Sequence, residues 1–225
     1  MAEGYFGAAT GTPTAAGRIV RTAVDLPALA LAPGLLATTA MQAAVNETTY
    51  PIMARISWER TYEGMLATPV RVRDLLLGES LWILARMLAV GTLFFLVMLI
   101  FHVPKTPVAT FAIGAAVLTG MAFALPIMAF TATRKNASSF SSLQRFVIMP
   151  LFLFGGAFFP LAKLPALLQA VAWLTPLAHG VALTRGLTLG RLDLASGALH
   201  LAVLLLYTGA GLLAASLTLH RRLLK

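Results

Sequence analysis

Four stretches of this chain, residues 26–53, 81–101, 108–132 and 197–219, carry at most one charged residue each. Each reaches the roughly 20 residues that an α-helix needs to cross about 30 Å of hydrocarbon. A water-soluble fold cannot hide so much apolar chain, because its surface must be polar; about a quarter of its residues are ordinarily charged. Here 11% are charged, 59% are hydrophobic and the mean hydropathy is +0.85. A single large soluble core is excluded. The expected fold is all-α, a polytopic transmembrane helical bundle.

The net charge of +9 does not indicate nucleic acid. Lysine and arginine sit in the short connections between apolar segments, where topology selection places them, and no basic face interleaved with aromatics occurs. With no cysteine among the 225 residues, disulfides, zinc thiolates and thiol catalysis are excluded. The first 25 residues lack a charged stretch followed by an apolar core, so no cleavable signal peptide is expected.

Residues 1–25 are small and Gly/Thr/Ala-rich and are expected to form a flexible lead-in to a membrane domain over 26–225. Asp25 followed by Pro27 predicts a helix start, with a side-chain cap and a proline in the first turn. The first span is expected from Leu26 to Met53, and a polar connection with helix-like pattern over 54–80. The second span is Leu81 to Phe101, and the prolines of His102-Val103-Pro104-Lys105-Thr106-Pro107 deny helix continuation. A third span, Val108 to Ala132, is kinked at Pro126, and 133–145 reads as a polar, serine-rich loop. The fourth, Phe146 to Phe159, is interrupted by Pro150 and Gly155-Gly156. Two short apolar pieces follow, Leu164 to Leu174 and Leu177 to Leu189, separated by Thr175-Pro176; they suggest re-entrant helices. Gly197 to Leu219 is the last of about five spans.

Orientation follows from the cations. If the C-terminus is inside, that side holds ten: Arg55, Arg60, Arg71, Arg73, Arg134, Lys135, Arg145, Arg221, Arg222 and Lys225. The other side holds six: Arg18, Arg21, Lys105, Lys163, Arg185 and Arg191. The excess favours this orientation.

The most informative segment is Ser57-Trp58-Glu59-Arg60-Thr61-Tyr62-Glu63-Gly64-Met65-Leu66-Ala67-Thr68-Pro69. Trp58, Tyr62, Met65 and Leu66 fall on one face of a helix that Ser57 would cap and Pro69 would end. Such an amphipathic rod either docks into a groove of a soluble partner or lies on the headgroups with Trp58 and Tyr62 as anchors.

Two ordered motifs carry a family resemblance. The first is Ala32-Pro33-Gly34-Leu35, then Arg60-Thr61-Tyr62-Glu63, Leu66-Ala67-Thr68-Pro69-Val70 and Leu77-Gly78-Glu79. The second is Pro150-Leu151-Phe152-Leu153-Phe154-Gly155-Gly156-Ala157-Phe158-Phe159-Pro160, continuing through Leu164-Pro165 and Leu174-Thr175-Pro176 to Arg185. Over roughly residues 30–220 the chain resembles the type-2 ABC exporter permeases, above all those for nodulation lipo-oligosaccharides and daunorubicin-type drugs. The resemblance implies that the rod, with Trp58, Arg60, Thr61, Tyr62, Met65, Thr68 and Pro69, is the cytoplasmic coupling helix contacting an ABC ATPase subunit. It implies that Phe159, Pro160, Leu164, Pro165 and Pro176 belong to short outward-side helices beneath the exit. It further implies a second permease copy or a paralogue as partner. The family's usual six spans make this chain look short by its first helix, with 1–25 as the connection that follows it.

No phosphate-cradling G-x-x-x-x-G-K-[ST] loop occurs, so ATP hydrolysis is expected on a separate protein and no cofactor on this one. Among the polar residues within the spans, which include Gln42 near the lower end of the first, Asn46, Glu47 and Arg86 are singled out. Glu47 and Asn46 either line a cavity or gate, or mark a helix end at the headgroups. Arg86 either snorkels to the inner surface or forms an ion pair with Glu47. His179 and His200 read as lone structural histidines without metal-ligand spacing. Ser138, Ser139, Ser141 and Ser142 have no nearby base, and Gly211 with Ala215 is a weak close-contact signal. No His/Glu/Asp cluster converges on one helix face, as an intramembrane enzyme would need. The expected function is export of an amphipathic substrate; the alternative is a non-transporting membrane assembly or scaffold subunit. Membrane lipids are expected partners and nucleic acid is not.

Overall fold

The computed structural model describes residues 15–158, 161 and 164–224, with side chains from Leu31 onward. Ten α-helices are described: α1 (Ala15–Thr48), α2 (Tyr50–Met53), α3 (Thr61–Leu66), α4 (Val72–Ile100), α5 (Phe111–Thr133), α6 (Ser138–Leu143), α7 (Met149–Phe154), α8 (Ala166–Trp173), α9 (Pro176–Leu189) and α10 (Leu194–Leu223). No strand occurs among the described residues. Of these, α4, the segment Pro107–Thr133 containing α5, and α10 are long and apolar enough to cross a membrane; α8 and α9 together add a span bent by 83°. The chain is an all-α polytopic membrane protein.

α5 is the central column. It packs against α1, α4, α9 and α10, and most of its side chains are buried. α4 and α10, by contrast, keep Leu93, Ile100, Leu206 and Leu213 exposed, the surface that hydrocarbon would cover. Since lipid tails are as apolar as leucine, helices in a bilayer associate by close packing rather than by hydrophobic exclusion. Small residues provide that closeness here. A Cβ on Gly211 of α10 would lie 2.5 Å from Pro126 Cδ, and one on Gly180 of α9 would lie 2.2 Å from Thr119 Oγ1. Ala215 is buried one turn beyond Gly211, so the Gly211–Ala215 step does face a neighbour. Thr131 Oγ1 donates to Thr48 O at 2.8 Å and Thr184 Oγ1 to Pro33 O at 2.9 Å, tying α5 and α9 to α1.

Gly34 offers a direct check on this packing. A Cβ there would meet the backbone of Ala157 at 2.8 Å, and backbone cannot swing aside as a side-chain tip can. Gly34→Val is expected to push the 155–157 turn off α1 at a cost of about 1–3 kcal/mol. Thermal unfolding in detergent should show the loss, whereas Gly114→Ala, with nothing within 4 Å of its Cβ and alanine the better helix former, should not lower the transition.

Three element boundaries differ from expectation. α1 begins at Ala15, so 15–25 belong to a helix and Asp25-Leu26-Pro27 lies inside it; residues 1–14 of the expected lead-in lie outside the described residues. The run Ala15–Val24 holds one glycine and no proline, and propensity permits helix throughout. α4 starts at Val72, nine residues before the expected span, where Asp74 accepts the Arg71 N–H at 3.0 Å and closes the first turn. The serine-rich loop is helical from Ser138, and a π-helical turn at Gln144–Ile148 carries it into α7. Serine is a middling helix former, and this stretch has no glycine or proline until Pro150.

Candidate functional site

At one end of the bundle the chain turns from α1 through α2 and a π-helical turn (Ala54–Trp58) into α3. The expected continuous rod is broken. Arg60 adopts left-handed backbone (φ 53°), an uncommon conformation for a residue other than glycine, and α3 starts only at Thr61. Ser57 lies inside the π-helical turn and caps nothing. The break divides the apolar set. Tyr62 is buried at 1% exposure, with Leu66 packed against the same core one turn on, while Trp58 (60%) and Met65 (45%) are exposed. Instead of one apolar face, α3 has an inner face that grips the bundle and an outer face bearing Glu63 and Met65, with Trp58 and Arg60 exposed in the turn that leads into it. Thr68 and Pro69 are exposed in the turn that follows; Thr68 Oγ1 donates to Met65 O at 2.6 Å and closes the helix.

Tyr62 points to a pair of charges. Arg55, in the π-helical turn, forms an ion pair with Glu79 in the second turn of α4. Burial, and after it the Glu79 carboxylate, push the Tyr62 phenol well above its usual range; Arg55 pulls it the other way. Burial and the neighbouring carboxylate both disfavour the phenolate.

Two turns further along α4 the polarity reverses. Arg86 Nε lies 2.9 Å from Glu47 Oε1, near the end of α1; the two side chains are 54% and 16% exposed. Glu79 and Arg86 are seven residues apart, about 10 Å along the helix. Thus α4 presents a negative and then a positive group, and the antiparallel α1–α2 stretch answers with Arg55 and Glu47. A slide of two turns would set like charges against each other, and a slide of one turn would break both pairs. The two pairs fix how α1, the π-helical turn and α4 sit together. Asn46 is exposed and joins neither pair.

Other cations collect at the same end. Arg60, Glu63 and Arg222 line one cleft, and Arg71, Arg73 and His220 another, so the 54–80 connection and the end of α10 are neighbours. Tyr50 and Phe140 meet edge-on at 5.2 Å, which brings the start of α6 there as well. Lys105 lies at the opposite end, where its N–H donates to Thr188 O at 3.1 Å.

α9 ends there at Leu189 and runs back into the bundle, so the elbow of α8 and α9 lies near mid-height, where Leu174 O accepts from the Tyr207 hydroxyl. Pro165 precedes α8 and a buried Pro176 opens α9, each where proline costs no helical hydrogen bond. Leu164 N–H closes a turn onto Leu161 O at 3.0 Å; Phe159 and Pro160 lie outside the described residues. Arg185 of α9 donates from Nη2 to Gly156 O at 3.1 Å, holding the turn that follows α7. His179 and His200 are not lone residues: their Nδ1 atoms lie 2.8 Å apart. Sequence spacing hides this pair because it joins two helices, whose register is set by the Gly180–Thr119 and Gly211–Pro126 contacts.

Arg55, Glu79 and Tyr207 drew no functional reading from sequence. The signal available was modest: Arg55, between Ala54 and Ile56, and Glu79, between Gly78 and Ser80, are two among the four cations and four anions of the 54–80 connection.

Comparison with known proteins agrees with this architecture. The family model described as ABC-2 type transporter matches residues 4–189. Nodulation protein J of Rhizobium leguminosarum bv. viciae is 34% identical over 195 residues, 87% of this chain and 75% of the relative. Nodulation protein J of Sinorhizobium fredii is 34% identical over 194 residues, covering 86% and 74%, and that of Bradyrhizobium diazoefficiens is 33% identical over 195 residues, covering 87% and 74%.

Proposed function

Because this chain belongs to the ABC-2 type transporter family, we propose that it is the permease of an exporter whose ATPase is a separate protein. The substrate class is amphipathic: a drug, a lipid or a lipid-linked glycan. The site of action is the cell membrane of a bacterium, as the bacterial relatives suggest, with the α3 end inside.

One observation carries the reading. A six-residue helix at the charged end exposes Met65 while Tyr62 holds its other face against the bundle, and Trp58 is exposed at the end of the π-helical turn just before it. Exposed aromatic and methionine side chains with a neighbouring arginine are the composition of protein-interface anchors. The inner face meets the charges that join α4 to α1. A partner that binds one arrangement of α3 more tightly than another shifts the whole bundle by that difference. Tyr62 and the Arg55–Glu79 pair would carry such a shift to α4, and Glu47–Arg86 to α1. Thr61, Thr68 and Pro69 bound the segment and set its length.

The substrate reading rests on the walls. A cavity of about 490 Å³ among α5, α9 and α10 is lined by Phe111, Ala115, Leu183, Leu187 and Leu201, within the range of small-molecule sites. Its walls offer hydrocarbon and no charged side chain. The permease is expected to work with a second copy or a paralogue.

Co-reconstitution with the partner ATPase tests this function. ATP-driven movement of a fluorescent amphiphile into the lumen of inverted vesicles is expected only with both proteins present. Transport by this chain alone, or a partner ATPase whose rate ignores it, would refute the proposal; the latter result fits a scaffold subunit.

A further inference from the structure

We propose that the α8–α9 elbow contains a proton-binding site: a histidine pair that clasps α9 to α10 while His179 is neutral and lets go when both rings are charged. The argument begins with a carbonyl. His179 is buried in the first turn of α9, and its Nε2 lies 2.8 Å from Trp173 O, at the end of α8. A carbonyl oxygen only accepts, so His179 Nε2 carries a hydrogen. In the neutral ring Nδ1 is then bare and must accept. His200 Nδ1, 2.8 Å away, is therefore the donor. Both tautomers follow from this one contact.

The remaining bare nitrogen is His200 Nε2. A first added proton goes there and leaves both hydrogen bonds in place. The ring so charged lies parallel to the Trp173 indole, at 9° and 5.7 Å between centroids, where a π face attracts a cation. A second proton has only His179 Nδ1 to occupy. That turns the sole acceptor of the clasp into a donor, and two cations then face each other across a hydrogen-bond distance. The clasp cannot survive it.

Nothing nearby compensates the charge. α5 and α8 contain no charged residue, and the described part of α1 carries its only ionised side chain, Glu47, near its far end. α9 supplies Arg185, six residues from His179. α10 supplies Asp193, seven residues before His200, and Tyr207, whose hydroxyl donates to Leu174 O at 2.6 Å. That phenol bond is independent of the histidines, so the elbow would pivot about Tyr207 when the clasp opens. His200 and His220, at the two ends of α10, are about 30 Å apart. The site thus sits well away from the charged end of α10.

The test does not depend on transport. Because the chain has no cysteine, spin labels at Leu167→Cys of α8 and Leu206→Cys of α10, both exposed positions, are unique. In nanodiscs of zwitterionic lipid, their separation is expected to shift by several Å once the pH is low enough to place a proton on each ring, a second step that the first charge opposes. In His179→Gln, whose side chain cannot take up the second proton, the separation should stay fixed. Emission from Trp173, with Trp58 and Trp82 replaced by Phe, should fall with the first proton and recover with the second; His200→Gln should show neither change. A pH-independent separation in the chain with both histidines would overturn the proposal, as would a transition that persists unchanged in His179→Gln.

Discussion

Met65→Pro is expected to abolish export while leaving membrane insertion intact. Position 65 lies late in α3, where a proline ring clashes with the carbonyl four residues back, that of Thr61, and forces Gly64 out of helical geometry. The cost is about 3 kcal/mol or more, confined to an exposed turn, because Met65 itself is outside the core. Loss of the helix displaces the exposed Glu63 and Met65 and the link to Trp58 before it. Export by reconstituted vesicles should fall at least about tenfold, equivalent to about 1.4 kcal/mol; Met65→Ala, which keeps the helix, should retain most of it. Tyr62→Pro acts differently. Tyr62 is the second residue of α3, where a proline is tolerated, so its effect comes from deleting a buried ring, about 3–5 kcal/mol by analogy with other large aromatic deletions. Tyr62→Phe keeps the ring and separates packing from the hydroxyl beside Arg55 and Glu79. If Met65→Pro exports normally, α3 is not the connecting rod.

The second large effect concerns Glu47 and Arg86. Glu47→Arg sets two cations on facing positions where an ion pair was and leaves Arg86 without its partner within a largely apolar helix. Removing the partner of a charged group costs about 1–3 kcal/mol and reversal adds repulsion. Arg86→Glu should do the same with opposite sign. The double swap restores the pair, and a double-mutant cycle should return most of the loss. Melting temperature reports the structural part; the ratio of export to ATP consumed reports coupling. If the double variant is as impaired as the sum of the singles, the pair contributes nothing, and each residue acts through some other contact.

How much of this was legible beforehand depends on the range of the interaction. The spans were legible because hydropathy sums over neighbours and the bilayer sets the required length. Their ends were less so. Asp25-Leu26-Pro27 has the composition of a helix start, yet α1 runs through it from Ala15; prolines within membrane helices are tolerated when neighbouring groups satisfy the freed carbonyls. The break at Arg60 left no glycine or proline to mark it. It exists because Tyr62 must turn inward while Trp58 faces out, a demand that comes from the tertiary fold. The Glu47–Arg86 pair could be reached from sequence, since an intramembrane charge calls for a partner and adjacent spans offered one of each sign. His179 with His200, and Arg55 with Glu79, could not. Each joins two elements whose register depends on where single glycines let helices touch.

The central claim is that the outer face of α3 touches the ATPase subunit from the inside of the membrane. A single cysteine at Met65, in a chain that otherwise has none, carrying a short photoactivatable cross-linker, tests it in the assembled complex. The expected result is a covalent adduct with the ATPase that weakens when nucleotide changes its state, with no adduct from the same probe at the lipid-facing Leu213. An adduct only with lipid, or modification of the Met65 cysteine by a membrane-impermeant thiol reagent added from outside, would contradict the account.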